Sequence, residues 1–215
     1  MTRGKTERTV AYAISALATT LMKFAADCCL FMSQNFGFIE LPEEFTTGSS
    51  IMPHKKNPDV FELMRGKCNK LQAIPGELAA IMGNLTSGYF RDLQLLKEKY
   101  IYAFTEIKSC LEIALLMVPN ISIKSGILNK DIYDYLFSVE EVNRRVLDGI
   151  PFREAYKQVG LEIEKGIFKP NKEISHTHEG SLGNLCTQEI KNKMIFNAAK
   201  IDASKINSAL KNLLH

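Results

Sequence analysis

The stretch DLQLLKEKYIYAFTEIKSCLEIALLMV, residues 92–118, decides the fold. Leu93, Leu96, Tyr100, Ala103, Ile107, Cys110, Ala114 and Met117 recur at alternating steps of 3 and 4. That spacing places them on one face of a long α-helix and has no strand counterpart. Phe104, Leu111, Leu115 and Val118 widen the stripe. A face that broad requires more than one partner helix, so the expected setting is a bundle. Pro119-Asn120 closes the segment.

Upstream, Ile14, Leu17, Leu21, Phe24, Cys28 and Phe31 form a second stripe of this kind, with Ala11, Ala18 and Ala25 as a small-residue stripe beside it. Small residues let another helix approach closely, and large ones interlock with it. Gly37 is the expected end of this helix, and Leu41-Pro42 forbids its return. A further helix should start at Asn57-Pro58-Asp59, with Asn57 as N-cap and Pro58 at the first helical position. Its apolar face is Val60, Phe61, Met64, Cys68 and Leu71. Pro75-Gly76 should kink or break it, and Leu78, Ile81 and Met82 suggest that it resumes.

Beyond residue 120 the segments shorten and Gly recurs. Ser138 and Glu141 have the spacing of a capping box. Pro151 opens a short helix through Ala155 and Val159, residues 175–184 form a polar loop, and Thr187 can cap a last amphipathic helix through Ile206. The reading is all-α, with no convincing strand: a helical-bundle segment over 1–119, carrying a loop at 48–59, and a small helical domain over 120–215. Three broad-faced helices cannot bury one another completely, so self-association or further helices are expected.

Composition narrows the function classes. The chain has 215 residues, 46% of them hydrophobic and 24% charged, an ordinary globular mixture. A net charge of +3 leaves no basic footprint for nucleic acid. Five Cys form no CxxC pair, which reads as reduced thiols in a cytoplasmic protein. The longest uncharged run, Thr9 to Met22, is short of the roughly 20 residues a bilayer span needs, so no membrane segment is expected. The polar lead Met1-Thr2-Arg3-Gly4-Lys5 runs straight into a strong helix, as a piece cut from a longer protein would begin.

One loop carries chemistry: Gly48-Ser49-Ser50-Ile51-Met52-Pro53-His54-Lys55-Lys56-Asn57-Pro58-Asp59. Hydroxyls, backbone N–H groups and two lysines precede a helix N-terminus, with no acid between Gly48 and Pro58. Everything in it attracts a small anion, and a dicarboxylate would suit it. The same residues also suit a solvated interhelical loop with a good cap, the commoner case for loops. Tyr89, Gln94 and Lys97 lie at the start of the third helix, where Gln94 and Lys97, three apart, would share a face. The plainer alternative there is a helix-start cluster with one surface lysine. His176-Thr177-His178-Glu179 has two close histidines but no recognisable third ligand, so it reads as a polar loop and no metal site is assigned.

The loop resembles the signature GSSxMPxKxNP of the fumarase/aspartase superfamily, a long and specific motif. Lys55-Lys56-Asn57-Pro58-Asp59, Gly66-Lys67, the run from Ser87 to Lys97, and Gly149-Ile150-Pro151-Phe152-Arg153-Glu154-Ala155 resemble argininosuccinate lyases within it. The resemblance extends from about Thr6 to Asn184 or beyond. It implies a C-terminal half of such an enzyme, with three of the superfamily's five central helices and a small C-terminal α domain. The implied reaction is elimination of argininosuccinate to arginine and fumarate, in arginine biosynthesis, by a cofactor-free cytoplasmic homotetramer.

By the same resemblance Ser49 is the general base, and Lys55 and Asn57 hold the carboxylate as it becomes doubly charged. Ser50 shapes the loop, and Tyr89, Gln94 and Lys97 contact substrate. His54 stands where many relatives carry Gln. The resemblance also implies a longer chain, whose other two signature regions include a histidine that assists proton transfer. This sequence offers no candidate for it, so the chain alone is expected to be inactive. Two other readings stand beside this one: another fumarate-forming lyase of the superfamily, such as adenylosuccinate lyase or fumarase, and a non-catalytic crystallin-like homologue. The Lys55-Lys56 pair and the Tyr89, Gln94, Lys97 set argue against the first. Retention of Ser49, Lys55 and Asn57 argues against the second, since packing has no need of them.

Overall fold

A computed structural model describes residues 4–48, 51–52, 56–174 and 176–213. The chain divides into two compact units, Met1–Ile127 and Leu128–His215. Both are built from α-helices.

In the first unit, α1 (Lys5–Met32), α2 (Asp59–Met82) and α3 (Leu96–Met117) form the bundle. Each buries residues at alternating steps of 3 and 4. In α1 these are Ala11, Ile14, Ala18, Leu21, Ala25 and Cys28, so the whole small-residue stripe merges with alternate members of the large one into one seam. Leu17 falls outside it and is exposed. Phe61, Met64, Cys68, Leu71, Pro75 and Leu78 continue the repeat in α2, and Leu96, Ala103, Ile107, Cys110, Ala114 and Met117 do so in α3. This is the spacing of side chains interlocking between near-parallel helix axes. A Cβ placed on Gly4, before α1, would collide with Met82 and touch Leu96. The start of α1, the end of α2 and the start of α3 therefore share one end of the bundle, and the three helices run up, down and up. By length and hydropathy alone α1 is apolar enough to cross a membrane; its seam, however, is buried against the other two helices.

Four expectations are corrected here. Helix α1 stops at Met32, five residues before Gly37. Ser33 turns to extended backbone and its Oγ donates to the Leu30 carbonyl at 2.6 Å. Phe31, Phe36 and Phe38 then pack ring against ring across the turn, and Gly37, at φ +56°, serves that turn instead. Asn57 is not the N-cap of α2. It lies in a two-residue strand, β3 (Lys56–Asn57), paired antiparallel with β2 (Thr47–Gly48), and Pro58 takes the cap position. Helix α2 runs unbroken through Pro75. An interior proline ordinarily costs about 3 kcal/mol. Here Pro75 is itself a seam residue, buried with Leu71, Ile74 and Leu78, and that packing offsets the lost backbone bond. Short strands are also present: besides β2 and β3, β1 (Ile39–Glu40) pairs with β4 (Ser122–Ile123), joining the segment after α1 to the segment after α3.

The second unit holds α4 (Ser138–Leu147), α5 (Phe152–Glu164), α6 (Thr187–Ala198) and α7 (Ser204–Leu213). Val142, Ala155, Val159 and Phe168 form its small core. Gly149, at φ +94°, lets the chain reverse between α4 and α5. Two further expectations fail. Ser138 makes no cap, because a 3₁₀ helix, Asp131–Phe137, runs directly into it and leaves no free helix end. The single last helix is two, neither of them with a buried residue, and Thr187 is the first residue of α6, with Cys186 at the cap position and no side-chain cap bond.

Glu141 turns inward instead of capping. It accepts from Arg144 at 2.6 Å and 3.0 Å and from Arg145 at 3.1 Å, and Arg145 reaches Glu162 at 2.7 Å. The Arg144 hydrogen bond, ahead of that from Arg145, holds the Glu141 carboxyl below its ordinary range against the opposing effect of burial. A depressed folded-state pKa contributes stability above the unfolded carboxyl pKa, and that stability is lost as pH falls through the folded value. The second unit should therefore loosen on acidification below about pH 4. Glu141→Gln should flatten that acid dependence while lowering stability at pH 7, as read from its NMR resonances during an acid titration.

Candidate functional site

The described part of the signature loop flanks an open cavity of about 740 Å3 in the first unit. Its walls come from the end of α1 (Cys29, Met32, Ser33), the strand region Ile39–Leu41, and Met52, Lys56, Asn57 and Glu62 around the start of α2. The local sequence explains the placement. Phe61, fully buried and edge-on to Phe24 with ring centroids 5.8 Å apart, pins the first turn of α2 to α1. Pro58 sets the direction of entry, and its carbonyl accepts from the Phe61 and Glu62 amides at 2.9 and 3.0 Å. The β2–β3 pairing then turns Asn57 and Lys56 along the cavity edge. Lys56 stands 3.7 Å from Glu43, an exposed pair of little energetic weight.

Ser49, Ser50, His54 and Lys55 lie outside the described residues. Of the assigned loop residues, Asn57 is at the cavity. Three titratable lining groups were given no role from the sequence: Cys29, Glu40 and Glu62. Glu62 carried a signal, as a carboxylate one helical turn past the motif. Glu40 is held at 2.6 Å by Lys124, whose hydrogen bond lowers its carboxyl pKa. Burial raises the Cys29 thiol, with Arg65 opposing, so it stays protonated at neutral pH. Burial likewise pushes Cys68 up to about 12 and Cys28 to about 11. Cys28 and Cys68 are core groups rather than nucleophiles.

Tyr89 and Gln94 meet elsewhere, and Lys97 follows them in the chain. Gln94 Nε2 donates to the Tyr89 hydroxyl at 3.1 Å. Gln94 closes a 3₁₀ turn, Arg91–Gln94, and Lys97 lies in the first turn of α3, so the expected shared face spans a junction between two helix types. All three side chains are exposed. This group follows α2, whereas Asn57 precedes it. At 1.5 Å per residue the 24 residues of α2 separate the two groups by about 36 Å. No small substrate touches both within one chain.

In the second unit His176 Nε2 meets Glu140 at 3.0 Å, and its ring stacks on His178 with centroids 5.5 Å apart. Among the described residues no group of three or more His, Cys, Asp or Glu is placed to hold a metal ion.

Residues 8–73 match the sequence profile of a family described as lyase. Argininosuccinate lyase of Parabacteroides distasonis is 58% identical over 215 residues, covering 100% of this chain and 48% of the relative. That of Phocaeicola vulgatus is 59% identical over 194 residues, 90% of this chain and 44% of the relative. Among solved structures, 3-carboxy-cis,cis-muconate lactonizing enzyme from Pseudomonas putida superposes with a TM-score of 0.62 at 20% identity, over 75% of this chain and 37% of that one. An EDDS lyase variant with bound fumarate gives 0.54, also at 20% identity, over 73% of this chain and 32% of that one. At that identity the structures speak for the fold alone: a long-helix bundle segment with a small α domain. The chain spans about half the length of the curated relatives it matches. Along its whole length the chain is similar, at 58% identity, to about half of an argininosuccinate lyase.

Proposed function

We propose that this chain supplies the signature-loop portion of an argininosuccinate lyase, which eliminates arginine from argininosuccinate and leaves fumarate. The observation that carries the reading is Asn57 beside Lys56 at the edge of a substrate-sized cavity, at the root of a loop that matches the superfamily signature.

The chemistry explains the residue types. A proton must leave the carbon next to a carboxylate, and the resulting carbanion places a second negative charge on that carboxyl group. Donors and positive charge fixed in advance around it are the main catalytic resource. In this assignment Lys55 and Asn57 hold the carboxylate, Ser49 removes the proton, and Ser50 shapes the loop. A serine hydroxyl is a weak base, so its deprotonated form depends on the neighbouring lysine and amides in a site closed to water. Tyr89, Gln94 and Lys97 bind substrate in a second site, completed by another subunit. The separation of about 36 Å along α2 supports that sharing. The exposed Ile101, Phe104, Leu115 and Leu116 of α3 supply apolar surface for assembly, as a homotetramer in the cytoplasm. The activity serves arginine biosynthesis and uses no cofactor.

The test is a mixing experiment. This chain is co-expressed with the Parabacteroides distasonis relative, its signature-loop serine replaced by alanine, and the complex is purified through a tag on this chain. Neither partner alone should release fumarate, which absorbs in the ultraviolet. The complex should release it from argininosuccinate, and should cleave neither adenylosuccinate nor malate. A purified complex without fumarate release counts against the proposal.

A further inference from the structure

We propose that Thr47 and Asp59 form a clasp that positions Asn57 and Lys56 at the cavity edge; the inference rests on the lyase reading of that cavity. Strands β2 and β3 have two residues each, in the register Thr47 with Asn57 and Gly48 with Lys56. A ladder so short is marginal by itself. Among the described residues nothing lies within 4 Å of where a Cβ on Gly48 would stand, so their packing does not hold that arm.

One side-chain bond adds the missing restraint. The Thr47 hydroxyl donates to Asp59 Oδ2 across the base of the loop. Asp59 is the first residue of α2, and two residues later Phe61 sits fully buried in the bundle core. The restraint thus runs from core to Phe61, to Asp59, to Thr47, and through the ladder to Asn57. Both arms of the loop are referred to one rigid helix turn. Thr47 does not line the cavity. Its effect passes through Asn57 and Lys56, which makes it a positioning residue. Groups that meet a developing charge must be held within a fraction of an ångström, and the shell behind them does the holding.

Thr47→Val removes the hydroxyl and keeps the shape, and Thr47→Ser restores the donor. In the isolated chain, Thr47→Val should speed hydrogen exchange of the backbone amides in the β2–β3 ladder. Exchange in the α1–α3 core and the melting midpoint should stay unchanged. In the mixed enzyme it should lower kcat about tenfold with little change in KM, since displacement of a reacting group falls on the chemical step. Thr47→Ser should restore both readouts. A Thr47→Val mixture with unaltered kcat overturns the proposal, even where exchange rises. Should the unsubstituted mixture release no fumarate, the lyase reading fails, and the clasp is decided by exchange alone. Unchanged ladder exchange then overturns it, and a rise that serine reverses sustains it.

Discussion

Lys55→Met, introduced into this chain and assembled with the serine-deficient relative, should lower fumarate release by about 10²- to 10³-fold, the usual effect of removing one group that stabilises a developing oxyanion. The physical reason is charge. The intermediate carries two negative charges on one carboxyl group, and a neutral thioether of similar length replaces the cation without replacing its field. KM should change less than kcat, because the substrate carboxylate bears only one charge before the proton leaves. Lys55→Arg should recover part of the rate, keeping the charge but not its compact geometry. Steady-state rates at saturating argininosuccinate provide the measurement. Turnover unaltered by Lys55→Met would remove the electrostatic account of the loop, and with it the reason for two lysines ahead of Asn57.

Phe61→Ala should destabilise the first unit by about 3–5 kcal/mol, the range for truncating a fully buried aromatic side chain. Phe61 has no exposed surface and closes the junction between α1 and α2 next to Phe24. Its loss leaves a void where the helices are pinned and frees the turn that carries Asp59. Urea unfolding should show a lower midpoint with an unaltered slope. Ala substitution of Leu63, two residues on and largely exposed, should change stability by less than about 0.5 kcal/mol, the range for surface positions. The pair separates a core effect from the change in helix propensity, which Ala raises at both positions. An isolated chain in which the two substitutions cost the same would contradict the seam.

Much of this was legible in the residues. Periodicity is a local property, and of the eight positions read at alternating steps of 3 and 4, six are buried in α3 while Leu93 and Tyr100 are half-buried. The loop motif is local too, and so is its excess of positive charge. Boundaries were less legible. The end of α1 depends on three phenylalanines that meet only after the chain turns, and the continuity of α2 depends on what packs against Pro75. Asn57 was read as a cap because Asn-Pro-Asp looks like a helix start. It is a strand residue because Thr47, ten positions earlier, pairs with it.

From the sequence alone come the helical class, most of the seam residues and the motif of the 48–59 loop, since each depends on neighbours a few positions apart along the chain. Only the tertiary structure decides that Cys29, Glu40 and Glu62 share a cavity with Asn57, and that Tyr89, Gln94 and Lys97 stand a helix length away from it. Those relations are set by the antiparallel packing of three rigid rods. A rod of 24 residues fixes a distance that no local pattern states.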